Sequence, residues 1–338
     1  LDTYSGAAAA YSLRLLDSTY TGFAIKVQDN VGGATQEIGF NVFGELDTVS
    51  LLQYAGSNDV FVVTWFDQSG SGNDATQTTA AYQRRIVNSG TVDTYNGKPA
   101  AFITGGSGGM YVHNIPAGTT WTSFATFKTS VVAGFGIHSR APYSPWWFLG
   151  EANSTNTNVV QFANVSLYKN NAQLTISTRG ALTSDVGTDH QTITAFGDLT
   201  ESGSNQWHLW SAYGTNSYNL QGYVQEAIIY ASDQSGTAQT GIQDNINTFY
   251  DIYTPTPDPL LLNLYPGSAA AYSLRKLNAN YTGSAILVQD TVGGATKAIG
   301  FDANGDLDTA ELLAYAGSND VLVATWFDQS GSGNNAEQ

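Results

Sequence analysis

Cysteine is absent from the 338 residues, which excludes disulfide staples and thiolate metal sites alike. The four histidines, His113, His138, His190 and His208, stand apart and form neither an H-x-x-x-H nor an H-E-x-x-H spacing, which argues against a zinc enzyme. Charge is scarce: charged residues make up 12% of the chain, about half the usual share. Cations are scarcer still, with 12 Lys and Arg against 28 Asp and Glu and a net charge of −16. Binding a phosphate backbone needs clustered Lys and Arg, and the only adjacent pairs are Arg84-Arg85 and Arg275-Lys276, so no nucleic-acid partner is expected. The negative sheath also discourages attachment to anionic lipid, and no apolar run approaches the ~18 residues of a membrane helix.

What is plentiful is glycine, hydroxyl and amide residues and tyrosine, within a chain that is still 42% hydrophobic. That mixture predicts short strands joined by many turns around a sizeable core. The spacing of Ala9, Leu13 and Leu16 in "GAAAAYSLRLL" predicts an opening helix. A second helix is expected in "LDTVSLLQYAG", ending at Gly56. "FAIKVQD" alternates as a strand with Phe23, Ile25 and Val27 on one face, and "VGG" makes the turn after it. "VFVVTWF" reads as a strand buried on both sides, so Trp65 and its repeat counterpart Trp326 are expected in equivalent buried positions. "NQWHLWSAYG" and "LQGYVQEAIIYAS" form the clearest strand pair, and Ile242, Ile246 and Phe249 share a stripe on a last helix. The fold class is all-β, a jelly-roll β-sandwich with a few short helices.

Residues 267–338 repeat residues 6–77 without a gap, at 51 identities in 72 positions and a constant offset of 261. Three prolines fall in "YTPTPDPLL", an extended spacer. The expected organisation is a complete domain at 1–253, a Pro-rich linker at 254–261 and the N-terminal third of a second copy at 262–338. Two openings share one remainder, residues 78–253, so a surplus opening would expose apolar surface and strand edges. The expectation is a longer array of such units, of which this chain is a segment.

"AYSLRLL…YTG…IGF…LDT…WFDQSGSGNDA" resembles the opening of the α-L-arabinofuranosidase catalytic domain of glycoside hydrolase family 54. "AYGTNSYNLQGYVQEAIIYASDQS…GIQDNINTFY" is similar to its closing hairpin and terminal helix. Both also resemble concanavalin A-like (laminin G-like) modules of phage virion and bacterial surface proteins. The resemblance brackets the 1–253 unit and implies a two-sheet concanavalin A-like jelly roll. In the hydrolase family the general acid is an aspartate after a Gly pair just before the closing hairpin, and here Thr215 stands in its place. A threonine hydroxyl cannot protonate a leaving sugar at neutral pH. The family's nucleophile follows a Pro-Trp, and its nearest counterpart is Glu151, one residue out of step. The family's cysteine pair falls on Ala55 and Val60. Retaining hydrolysis needs two carboxyl groups about 5–5.5 Å apart, so the resemblance implies the fold without the reaction.

Other candidates each have a plain alternative. "GGSGG" (Gly105–Gly109) satisfies G-x-S-x-G, but the strand-like "MYVHNI" follows where a nucleophile elbow needs a helix. Asp67 and Asp74 in "DQSGSGND" could hold Ca²⁺, the one cofactor the sequence suggests, or could fix a turn through their own backbone. Tyr143, Trp146 and Trp147 could stack against a sugar, or serve as packing. Glu226 reads as a structural hydrogen-bond acceptor. The leading expectation is a non-catalytic extracellular or virion-surface module, structural or adhesive, that binds carbohydrate or forms filaments. Its partners would be neighbouring repeats, further copies of itself, or a glycan. The alternative is an arabinofuranosidase-like hydrolase.

Overall fold

The computed structural model describes residues 1–103, 109–112, 120–130, 134–140, 149–157, 163–198, 207–211, 219–254 and 260–338. The chain divides into two compact units, Leu1–Thr254 and Pro255–Gln338. Among the described residues no helix is long and apolar enough to cross a membrane.

The first unit opens with β1 (Ala7–Ser12), β2 (Ile25–Asp29), β3 (Gln36–Ile38), β4 (Val60–Trp65), β5 (Ala75–Thr76) and β6 (Arg84–Asn88). Short strands follow: β7 (Thr91–Val92), β8 (Thr94–Tyr95), β9 (Lys98–Pro99), β10 (Ala101–Ile103) and β11 (Met110–Val112). The long β12 (Thr120–Thr129) precedes β13 (Gly134–Gly136), β14 (His138–Arg140) and β15 (Leu149–Glu151). Then come β16 (Ala163–Lys169), β17 (Ala172–Leu174), β18 (His190–Asp198), β19 (Trp207–Leu209) and β20 (Gly222–Tyr230). Among the described residues three α-helices intervene: α1 (Thr48–Ala55), α2 (Arg179–Val186) and α3 (Thr237–Tyr250).

The backbone of the sheet runs β14-β19-β11-β5-β4-β6-β10-β20-β12-β18-β16-β17, antiparallel throughout, with β1 on β20, β2 on β4, β3 on β2 and β7 on β6. It folds over on itself. Trp121 of β12 and Trp207 of β19 lie far apart along that order, yet their rings pack with centroids 4.9 Å apart. This is a β-sandwich with a few short helices, and its core holds Trp65, Trp121, Trp207 and Trp210 fully buried. A second, smaller core lies where α3 covers the other face, with Ile242, Ile246 and Tyr250 against Phe124, Ile228 and Tyr230.

The α1 expectation holds: Asp47 caps the helix by accepting from the Ser50 amide, and Gly56 ends it at φ 56°. The opening helix does not form. Residues 7–12 are a strand paired with β20 and wholly buried. Ala9 and Tyr11 face the main core while Ala7 and Ala10 face the α3 core, so both sides are covered. Small side chains fit that double layer, and tertiary pairing overrides alanine's helix preference. Ile25 and Val27 are buried as expected, but Phe23 is 44% exposed. β4 buries one face only: Val60, Val62 and Trp65 point inward, whereas Phe61 and Val63 are half-buried on the other side. β19 and β20 are strands, though not partners of each other: β19 pairs with β11 and β14, and β20 with β1, β10 and β12.

The second unit carries α4 (Leu261–Leu264), β21 (Ile286–Asp290), β22 (Thr296–Ile299), α5 (Thr309–Ala316), β23 (Val321–Trp326) and β24 (Ala336–Glu337). Its sheet runs β22-β21-β23-β24 over a core of Ala285, Ile286, Val288 and Ile299. Trp326 is half-buried, whereas Trp65 is fully buried.

Candidate functional site

Where α3 ceases to cover its face of the sheet, seven residues from seven strands line up in register. The row runs Gln28, Phe61, Arg85, Phe102, Tyr223, Lys128 and His190, on β2, β4, β6, β10, β20, β12 and β18. All seven are half-buried. The aromatic rings are in contact: Phe102 and Tyr223 stack obliquely with centroids 4.6 Å apart, and Tyr95 lies 5.4 Å from Tyr223 and 5.0 Å from His190.

Local chemistry holds these side chains in place. Gly222 opens β20 at φ +120°, and a Cβ there would meet the Lys128 carbonyl at 2.2 Å, so only glycine lets β20 approach β12 this closely beside Tyr223. Asn96 and Gly97, both at positive φ, turn β8 into β9 as a tight hairpin that carries Tyr95 over the row. Gln225 fastens that hairpin by donating to the Tyr95 carbonyl, and its side-chain oxygen meets His190 Nε2 at 2.6 Å. Asn96 donates to the Tyr250 carbonyl at the end of α3 at 2.7 Å.

The Arg85 guanidinium makes a two-pronged pair with Asp93, at 2.7 and 3.1 Å, and lies 5.3 Å from the Phe102 ring centre. Its hydrogen bond to Asp93 raises the Arg85 pKa, outweighing desolvation. Lys128 Nζ sits 5.6 Å over the Tyr95 ring. Burial lowers the His190 pKa below its ordinary value, with the Gln225 hydrogen bond partly opposing. A cleft of about 540 Å³ opens at the β2 end, lined by Phe61 and Phe102 with Gln28, Gln83, Arg85, Asp29 and Asp59 around them. Flat apolar rings ringed by amides, carboxylates and a guanidinium suit a ligand with one apolar face and a rim of hydroxyls.

Those residues singled out from the sequence that the structure describes lie elsewhere. Tyr143, Trp146, Trp147 and Thr215 fall outside the described residues, as does most of Gly105–Gly109. Glu151 ends β15 and pairs with Arg179 Nη1 of α2 at 3.3 Å. Glu226 lies under α3, accepting from Arg14 Nε at 2.8 Å, Arg14 Nη2 at 3.0 Å and Ser12 Oγ at 2.7 Å. That is the structural role expected of it.

Asp67 organises a clasp. Its carboxylate accepts from the Ala10 amide at 2.8 Å, the Ser69 amide at 2.9 Å, the Ser69 hydroxyl at 2.8 Å and the Asn73 amide at 3.0 Å. Asp74 in turn accepts from the Asp67 amide at 2.9 Å. Asp67 thus bonds to the turn and to β1, and Asp74 to the turn; among the described residues no group of three or more metal-ligating side chains converges.

The row escaped the sequence reading for a definable reason. Outward-facing Phe61, Phe102 and Tyr223 are visible as alternating positions, and Asn96-Gly97 as a hairpin signal, but which strands are neighbours is not.

No family model matches the sequence, and no curated protein matches it. Among solved structures the chain is similar to a GH54 α-L-arabinofuranosidase soaked with a cyclic sulfate inhibitor, at 16% identity and TM-score 0.46, over 87% of this chain and 69% of that one. It is similar also to an arabinofuranosidase complexed with arabinofuranosyl-α-1,2-xylobiose, at 14% identity and TM-score 0.47, over 87% and 69%. A mutant GH54 enzyme soaked with 4-nitrophenyl α-L-arabinofuranoside gives 16% and 0.47, over 88% and 70%. These belong to the family that the opening and closing signatures resemble. No catalytic residue is carried across at this identity.

Proposed function

We propose that the first unit is a non-catalytic carbohydrate-binding module of an extracellular or virion-surface protein, and that saccharide lies along the Phe61–Phe102–Tyr223 row. The observation that carries this is the register of the row. A sugar ring offers a face of C–H bonds to an aromatic side chain and equatorial hydroxyls to flanking donors and acceptors. Strands about 4.8 Å apart put Phe61 roughly 10 Å from Phe102, the reach of a disaccharide. Gln28, Gln83, Arg85 and Lys128 supply donors, and Asp29 and Asp59 supply acceptors. The pairing of Glu151 with Arg179 supports binding without turnover. An adhesive or structural role in a repeated protein is the setting in which such a module works.

A glycan array read with the full chain, followed by titration calorimetry on the best oligosaccharide, tests this. Phe102→Ala and Tyr223→Ala should each weaken binding at least tenfold while leaving the melting temperature of the second unit unchanged. Binding lost on Trp146→Ala or Trp147→Ala but kept in the row variants would move the site to those tryptophans. Release of nitrophenol from an aryl arabinofuranoside, abolished by Glu151→Gln, would replace the proposal with the hydrolase reading.

A further inference from the structure

We propose that the saccharide is acidic, and that a carboxylate or sulfate on the sugar stacked over Tyr223 binds Lys128. This rests on the saccharide reading of the row, and adds to it the charge of the ligand and its direction across the strands.

Lys128 is set apart from the other lysines of the first unit. Lys26 lies 2.9 Å from Glu37, Lys98 2.5 Å from Glu45 and Lys169 3.8 Å from Asp189. No ion pair among the described residues involves Lys128. Carboxylates outnumber cations 28 to 12 in this chain, so a lysine kept away from them stands out. The surrounding strands account for it. β12 carries neither Asp nor Glu. On β20, Glu226 is taken by Arg14. On β18, Asp198 stands opposite Thr120 at the far end of the strand, and Asp189, just before β18, is turned to Lys169. What Lys128 meets instead is the Tyr95 ring, 5.6 Å from Nζ, on the hairpin that Gln225 and Asn96 hold over the row. A half-buried ammonium over a tyrosine face keeps its charge and still attracts an anion.

The row is therefore electrically polar. At its β2 end, Asp29 and Asp59 line the cleft beside Phe61. In the middle, the two-pronged pair with Asp93 neutralises Arg85. At β12 stands Lys128, opposite Tyr223 and one strand spacing of about 4.8 Å away. An acidic sugar stacked on Tyr223 puts its anionic group beside Lys128, whereas the same group at the Phe61 end would face two carboxylates. Attraction at one end and repulsion at the other fix the direction of the ligand. The net charge of −16 does not cancel this, because charges beyond about 8 Å are screened at physiological salt and a direct contact with Lys128 is not.

Titration calorimetry on the full chain tests this with galacturonate and glucuronate trisaccharides, each beside its methyl ester, and with sulfated maltotriose beside maltotriose. In at least one pair the acidic member should bind roughly tenfold more tightly in low salt, and raising the salt should shrink that ratio. Which pair shows it tells carboxylate from sulfate. Lys128→Gln should bring the ratio close to one, and Lys128→Arg should keep it. Equal affinity within every pair would overturn the proposal, as would a preference that survives Lys128→Gln or the failure of every acidic member to bind. The saccharide reading fails separately. Neutral members that bind, and lose binding in Phe102→Ala and Tyr223→Ala, uphold the row even where the acidic preference is missing and this proposal falls.

Discussion

Residues 6–77 and 267–338 are near copies, identical at 51 of 72 positions, folded in two surroundings, and their difference separates what a segment specifies from what its neighbours supply. Apart from β1, whose counterpart at residues 268–273 forms no strand, the elements coincide. β2 and β21 have five residues each, α1 and α5 eight, β4 and β23 six. Even the bulge recurs, between Lys26 and Val27 in one copy and Leu287 and Val288 in the other. Asp47 and Asp308 cap their helices in the same way. Burial does not coincide: α1 buries Leu51 and Ala55, while α5 buries no residue. Apart from the β1 strand, secondary structure here is a property of the segment, and hydrophobic stabilisation is a property of what the segment packs against.

The largest expected contrast is at the paired tryptophans. Trp65→Ala should cost about 3–5 kcal/mol, as deletion of a fully buried large aromatic does. Trp326→Ala should cost only about 1 kcal/mol, since part of its surface is already hydrated. Denaturant unfolding followed by hydrogen exchange in each unit measures both, and equal losses would break the comparison.

The clasp should show no such contrast. Asp67→Ala and Asp328→Ala each remove a charged acceptor from several donors, at about 2–3 kcal/mol in either copy. Desolvation works against the Asp328 carboxylate, but the Ser330, Ala271 and Asn334 amides and the Ser330 hydroxyl hold its pKa down at about 2. Its stabilisation is therefore complete above the unfolded value near 3.8 and is lost as pH falls through 2. If Asp328→Ala cost less than a third of Asp67→Ala, the clasp would depend on the rest of the first unit.

The smallest effect is a difference in pH response. Burial holds the His190 pKa below its unfolded value of about 6.5, so the unfolded chain takes up the proton more readily. The stability that His190 contributes is present above pH 6.5 and declines as pH falls from there towards its folded pKa. Residues 267–338 contain no histidine. Melting of the first unit should therefore fall between pH 7.5 and 5.5 by more than that of the second, and His190→Phe should shrink the gap. An unchanged gap in that variant would remove His190 as the cause.

The sequence alone determined the all-β class, the repeat and its offset, and the helix that ends at Gly56. The helix rests on a cap and a periodicity contained within the segment, which is why it appears twice. Only the tertiary structure decided that Ala7–Ser12 is a strand, because β20 supplies its partner from more than two hundred residues away. It likewise decided that Phe61, Arg85, Phe102, Tyr223, Lys128 and His190 form one row, since register between distant strands is set by the folded sheet and not by local pattern. Trp326 makes the same point from the other side: its sequence context is that of Trp65, yet it is half-buried where Trp65 is fully buried.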